Sequence, residues 1–217
     1  MLQQALAEAG TRLAVSFSVL VEAIHLKLPT ALKNRFDKDY KAALLEPPTP
    51  EAAQSLLDTV ASYRVGGVTY RGQKTHEKKA LTYLQRVPES AFSEDQLQRI
   101  GYSLLFLESR KASQRVARAG QDRFPKNPHF PFLQAEAYIS MGPDRCPTWI
   151  VVPLLGQAHE LASKLPPDEE RDQLIEKIDG LQKFLGAHGA LLQMQNGGFF
   201  EDMFGFDDDD YDDDDGF

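Results

Sequence analysis

Ligand chemistry is most readily drawn from one short segment, Arg71-Gly72-Gln73-Lys74-Thr75-His76, with Lys78 and Lys79 behind it. Thr75 reads as the cap of a helix over about 76–87. The amides after it would then sit at a helix start, where free N–H donors and the helix dipole favour phosphate or carboxylate. Arg71, Lys74 and His76 would add positive charge. The glycine-spaced lysine of a nucleotide-binding phosphate loop is absent. The plainer alternative is a solvated loop ahead of a capped helix, and it weighs more for any particular ligand.

A second feature is a run of bases. Residues 60–126 carry 13 basic and 6 acidic side chains. The densest part is Arg110, Lys111, Arg115 and Arg118, and the last two, three apart, share a helix face. Such a patch suits a nucleic-acid backbone, but no base-reading motif accompanies it, and ordinary helix surface is the competing explanation. A third feature is the carboxy-terminal stretch. Phe199, Phe200, Met203, Phe204 and Phe206 precede two aspartate runs around Tyr211, and the last 17 residues hold 10 acids and no base. Runs of like charge stay extended. This tail would capture a basic partner, mask the chain's own basic centre, or merely solubilise. Five large apolar residues beside the charges favour binding.

Catalytic chemistry finds little support. His25, His76, His129, His159 and His188 show no metal-ligand spacing. Cys146, the single cysteine, rules out an internal disulfide, suits a reducing compartment and sits beside Pro147 in a turn. No nucleophile has a recognisable base. The expectation is therefore a non-enzyme with no cofactor and no metal. The most apolar segment, Leu13 to Leu28, is interrupted by Glu22, His25 and Lys27 and is too short to span a bilayer. It makes a poor signal peptide, so a cytoplasmic location is expected.

The elements that would position these residues are helical. Apolar residues at three- and four-residue steps predict helices over 2–28, 31–45, 50–63, 76–87, a stretch from Glu94, 111–123, 128–141, 148–164 and 168–187. Thr49-Pro50-Glu51 and the Ser93…Gln96 capping box are strong starts. The opening at Met1 lacks a cap, which fits an upstream repeat array as well as a frayed end. Pro153 needs a first-turn position or a kink. The glycine-rich stretch 64–75 is the one long break, and Val68-Thr69-Tyr70 within it could be extended. Order is expected to fade beyond Gly186, giving a domain over 1–187 and a disordered tail over 188–217.

An apolar residue followed by proline closes three helices, at Val87-Pro88, Phe124-Pro125 and Leu165-Pro166. Ala80, Ala117 and Ala158 stand eight residues before these prolines, at intervals of 37 and 41. Periods of this size belong to helical-repeat arrays. The helix with Ala112, Val116 and Ala119, the Phe124 to Pro128 turn and the helix with Leu133, Ala135, Ala137 and Tyr138 together resemble a tetratricopeptide-type repeat junction. Leu154 to Pro166 is similar to a second such closing helix, and the resemblance spans about residues 76–166. The tryptophan-leucine-glycine-tyrosine signature of a regular first helix is missing. The resemblance implies an α-solenoid that binds proteins and carries over no ligand residue. The resulting expectation is an all-α stack of helical hairpins, a short tetratricopeptide-like α-solenoid with an acidic tail, acting as a protein–protein interaction scaffold of unspecified partner and oligomeric state. A nucleic-acid-associated protein regulated by its tail is the alternative. An enzyme with an anion site in 71–79 is the weaker one.

Overall fold

Helix ends in this chain are written in two alternating codes. The computed structural model describes residues 12–142 and 146–195, with side chains up to residue 187. Among the described residues lie nine α-helices and one 3-10 turn: α1 (Arg12–His25), α2 (Thr30–Leu45), α3 (Pro50–Val65), α4 (Gln73–Leu84), the turn Glu89–Ala91, α5 (Glu94–Phe106), α6 (Arg110–Arg123), α7 (His129–Ile139), α8 (Thr148–Ser163) and α9 (Glu169–Gln195). After α1, α3 and α5 the chain turns through a left-handed residue: Lys27 (φ 54°), Gly67 (φ 67°) and Glu108 (φ 55°). Each turn makes the same pair of bonds. The amides of Lys27, Gly67 and Glu108 donate to Ile24, Arg64 and Leu105. The next amides, of Leu28, Val68 and Ser109, donate to Ala23, Tyr63 and Leu104. This is the Schellman arrangement, which satisfies carbonyls that a helix end leaves open. Gly142 (φ 97°) takes the same place after α7. After α2, α4, α6 and α8 no left-handed residue is found among the described residues, and Pro47, Pro88, Pro125 or Pro166 follows within four residues of the helix end, as Pro29 and Pro143 also do after α1 and α7.

The alternation marks four hairpins, α1–α2, α3–α4, α5–α6 and α7–α8, closed by α9. Within each hairpin the two helices pack together, and α9 packs on α8. The odd helices also pack on one another in sequence, α1 on α3, α3 on α5, and α5 on α7. They form one layer and the even helices form the other. Polar bonds stitch the odd layer: the Tyr63 hydroxyl donates to Glu22 (3.2 Å), Ser103 donates to Asp58 (2.6 Å), and Tyr102 meets His129 (2.8 Å). The alanines that define the sequence period, Ala80, Ala117 and Ala158, lie in α4, α6 and α8 and are all buried. The small side chain lets neighbouring helices approach. One apolar core runs from α1 to α7 and a second joins α7, α8 and α9.

Local signals explain most boundaries. Thr49 caps α3 through Ala52 N, with Pro50 in the first turn. Both bonds of the Ser93–Gln96 capping box are present. Several expectations need correction. Helix α4 starts at Gln73, three residues before the predicted start, with Gly72 (φ 93°) as its cap, so Thr75 lies inside the first turn. Val68–Tyr70 is irregular rather than extended strand. Pro153 sits in the second turn of α8, on its exposed side. Helix α9 passes Gly186 and runs to Gln195, because its apolar spacing continues. The predicted first turns of the opening helix and the residues from Asn196 onward, including the tail motif, lie outside the described residues.

Candidate functional site

The basic loop does not assemble as an anion site in the way the sequence suggested. Starting α4 at Gln73 commits the amides of Thr75 and His76 to the carbonyl of Gly72 (2.9 and 3.1 Å). His76 turns inward, 7% exposed. Its ring stacks on Tyr70 (5.7 Å between centroids) and meets Phe17 and Tyr40 edge-on (both 5.6 Å). The irregular segment thus delivers Tyr70 to an aromatic cluster. Neither the Tyr40 nor the Tyr70 hydroxyl, nor His76 Nδ1, has a protein hydrogen-bond partner. Arg71, Lys74, Thr75 and Lys78 remain on the surface. Thr75, Lys78 and the half-buried Lys79 line a shallow cleft of about 310 Å³ with Leu44 and Arg86, on the even-helix layer.

That layer collects the basic residues. Helices α2 and α4 each carry a net charge of +2, α6 carries +4 and α8 carries −1. The odd helices carry 0 on α1, −1 each on α3, α5 and α7, and −2 on α9. Because alternate helices belong to opposite layers, the chain separates charge by layer. Arg115 and Arg118 are both exposed on α6. Arg115 Nε pairs with Glu89 at 2.7 Å. It stands at the mouth of a cleft of about 550 Å³ between the end of α4, the 3-10 turn, α5 and α6, with Val87, Phe92 and Val116 beneath. Arg115 therefore belongs to a different cleft from Lys78 and Lys79, though to the same layer, and Arg118 lines neither.

The other layer holds a site that sequence reasoning missed. Tyr102 and Phe106 of α5, Phe132, Glu136 and Ile139 of α7, and Lys177 and Leu181 of α9 surround a cleft of about 480 Å³. Phe106 is 56% exposed at its edge. The Tyr102 hydroxyl lies 2.8 Å from His129 Nδ1, and His129 Nε2 lies 3.6 Å from Glu170. Burial pushes the Glu136 carboxyl up, against the pull of Lys177. Burial also raises the Tyr102 hydroxyl well above its ordinary value, so it stays protonated beside His129. Burial lowers His129, opposed by Glu170 and reinforced by Lys177. A mostly apolar cleft with one exposed ammonium and one sheltered carboxyl can hold an apolar side chain beside a charged one. Its residues come from three helices spread over 80 positions, so no local pattern announced it.

The buried His76 and the partly buried His129 make stability depend on pH. Burial holds His76 below its ordinary 6.5, with Lys79 reinforcing the effect and Asp37 opposing it. As pH falls through about 6.5 the unfolded chain takes up protons that folded His76 and His129 resist. Stability is therefore full above that pH and drains away towards the lowered folded values. Glu136 works in the opposite sense, so the informative quantity is a difference between variants. The urea midpoint is expected to drop between pH 7.5 and pH 5.5, and to drop less in His76→Phe. An equal drop in both proteins would remove His76 from this account.

Cys146 is partly buried, and burial raises its thiol, which keeps it protonated and a poor nucleophile. Trp149, 78% exposed on α8 with Val152 beside it, is a further apolar feature that the sequence reading passed over. Among the described residues no group of three His, Cys, Asp or Glu side chains is placed to hold a metal ion, and no helix is long and apolar enough to cross a membrane. Comparison with protein-family models, with curated proteins and with solved structures returned no match to this chain.

Proposed function

We infer that this protein is a non-enzymatic protein–protein interaction scaffold, its four hairpins being divergent tetratricopeptide-type repeats. The observation that carries the reading is the α5–α7–α9 cleft on the odd-helix layer, with exposed Phe106 on one side and Lys177 on the other. Its chemistry fits a partner segment that offers an apolar side chain to Phe106 and Leu181 and an acidic one to Lys177. The tail, acidic and aromatic, supplies the second function, recruiting a basic partner or masking the chain's own basic layer. Selection of a random peptide library on the full-length chain tests the first part. The expected peptides pair an apolar residue with an acid and lose binding at least ten-fold to Phe106→Ser/Lys177→Glu. Peptides indifferent to that double substitution would overturn the assignment of the cleft.

A second reading rests on the separation of charge by layer. The bases on α2, α4 and α6 fit a nucleic-acid backbone, with no feature that reads sequence. Binding of labelled single-stranded DNA that weakens steeply with salt is its signature.

A further inference from the structure

We propose that the acidic tail docks on its own chain, its phenylalanines in the α4–α6 cleft and its aspartates along the basic side of α6. The proposal deepens the tail's part in the function above and does not depend on what occupies the α5–α7–α9 cleft.

Two chemistries have to meet side by side for such a tail, and they do so at one place in the fold. The cleft of about 550 Å³ is floored by the buried side chains of Leu84, Val87, Phe92 and Val116 and rimmed by Gln85, Glu89 and Arg115. Arg115 stands at its mouth, its charge shared with Glu89 at 2.7 Å, and Arg118 lies one turn further along α6. Arg110 and Lys111 open the same helix, and all four bases are exposed. The tail presents the matching order: Phe199, Phe200, Met203, Phe204 and Phe206 first, then eight aspartates in two runs. An aromatic side chain seated on the floor brings the following carboxylates over α6. The rival cleft shares α5 but is otherwise walled by α7 and α9, both net acidic, where the proposed one is walled by α4 and α6, both net basic.

Reach is not a constraint. Twenty-two residues follow Gln195. Extended, they span about 70 Å, whereas a folded domain of this size has a radius of gyration of roughly 16 Å. Because the segment is tethered, its local concentration is of order millimolar, so weak apolar and screened charge contacts suffice to populate the docked state. Docking through charge is weakened by salt, which makes the covered state one that a competing polyanion or acidic partner displaces.

The test is amide chemical-shift mapping on the full-length chain and two full-length variants. One replaces Phe199, Phe200, Met203, Phe204 and Phe206 by Ser. The other replaces the eight aspartates of 207–210 and 212–215 by Asn. The expected result is that the first variant moves the resonances of Val87, Phe92 and Val116, and the second those of Arg115 and Arg118. The shifts should be unchanged on ten-fold dilution, and salt should reproduce the second set in the parent. No shift on α6 or its cleft in either variant overturns the proposal, and is the result expected of a tail left free for a basic partner. Shifts that fade on dilution overturn it in favour of a second copy of the chain. Shifts confined to Tyr102, Phe106 and Leu181 overturn it by placing the tail in the other cleft. Selected peptides indifferent to Phe106→Ser/Lys177→Glu, with the α6 shifts intact, would fault the scaffold reading alone.

Discussion

Gly120→Ala is expected to destabilise this protein by about 1–3 kcal/mol, although alanine is the better helix former by about 1 kcal/mol. Gly120 lies in α6, buried against α7. A Cβ there would sit 2.2, 2.4 and 2.6 Å from three atoms of the Phe130 ring. The ring cannot step aside cheaply: Phe130 is fully buried and stacks on Phe124 at 6.3 Å. The same substitution at two other helical glycines calibrates the effect. At Gly101 the nearest obstacle is a Leu133 methyl at 2.7 Å, the far end of a flexible side chain, so the cost is smaller. At Gly156 in α8 nothing lies within 4 Å, and alanine there stabilises. Urea unfolding of the three variants should therefore rank Gly120→Ala lowest, Gly101→Ala next and Gly156→Ala above the parent. Adding Phe130→Leu to Gly120→Ala should recover part of the loss. If Gly120→Ala and Gly156→Ala moved the midpoint alike, the close α6–α7 approach would be wrong.

That close approach also shows which parts of the fold were readable. Proline after α4, α6 and α8, and the alanine eight residues before it, were visible as a period because proline has one strong local meaning. The complementary punctuation was not visible. Two of the four left-handed turns use Lys27 and Glu108, residues that carry no turn signal, and only the backbone reveals that they do what Gly67 does. The start of α4 was misplaced because Thr75 is the better local cap, yet His76 must face inward to meet Phe17, Tyr40 and Tyr70. Packing overrode the cap. The basic residues themselves were legible, but their meaning depends on helix parity: the same bases dealt evenly to odd and even helices would give no charged layer. The cleft of Tyr102, Phe106, Glu136 and Lys177 was illegible, since its walls are brought together only by stacking hairpins. The tail's composition was plain from the start, and its proposed seat became apparent only with the α4–α6 cleft in view.

The largest single loss of stability is expected in the first two hairpins. Phe17→Ala should cost about 3–5 kcal/mol, the range for emptying a buried aromatic site. Phe17 is fully buried on α1. Its ring meets Tyr40 of α2 at 5.5 Å, Tyr63 of α3 at 6.0 Å and His76 of α4 at 5.6 Å. One side chain therefore joins all four helices of the first two hairpins, and no neighbour can collapse into the vacated space without breaking a contact to a third helix. Tyr40→Phe is the instructive partner. It leaves the ring beneath Lys79, whose ammonium lies 5.6 Å from the centroid, and removes a hydroxyl that no protein group receives. Its effect should stay within about 1 kcal/mol, because a hydrogen bond not made is not lost. Near-ultraviolet circular dichroism supplies a second readout. Tyr40, Tyr63 and Tyr70 share the cluster, so Phe17→Ala should weaken the tyrosine band even where the chain remains folded, while Tyr40→Phe removes one contributor only. A Tyr40→Phe cost as large as that of Phe17→Ala would mean that the hydroxyl, rather than ring packing, ties the first two hairpins together.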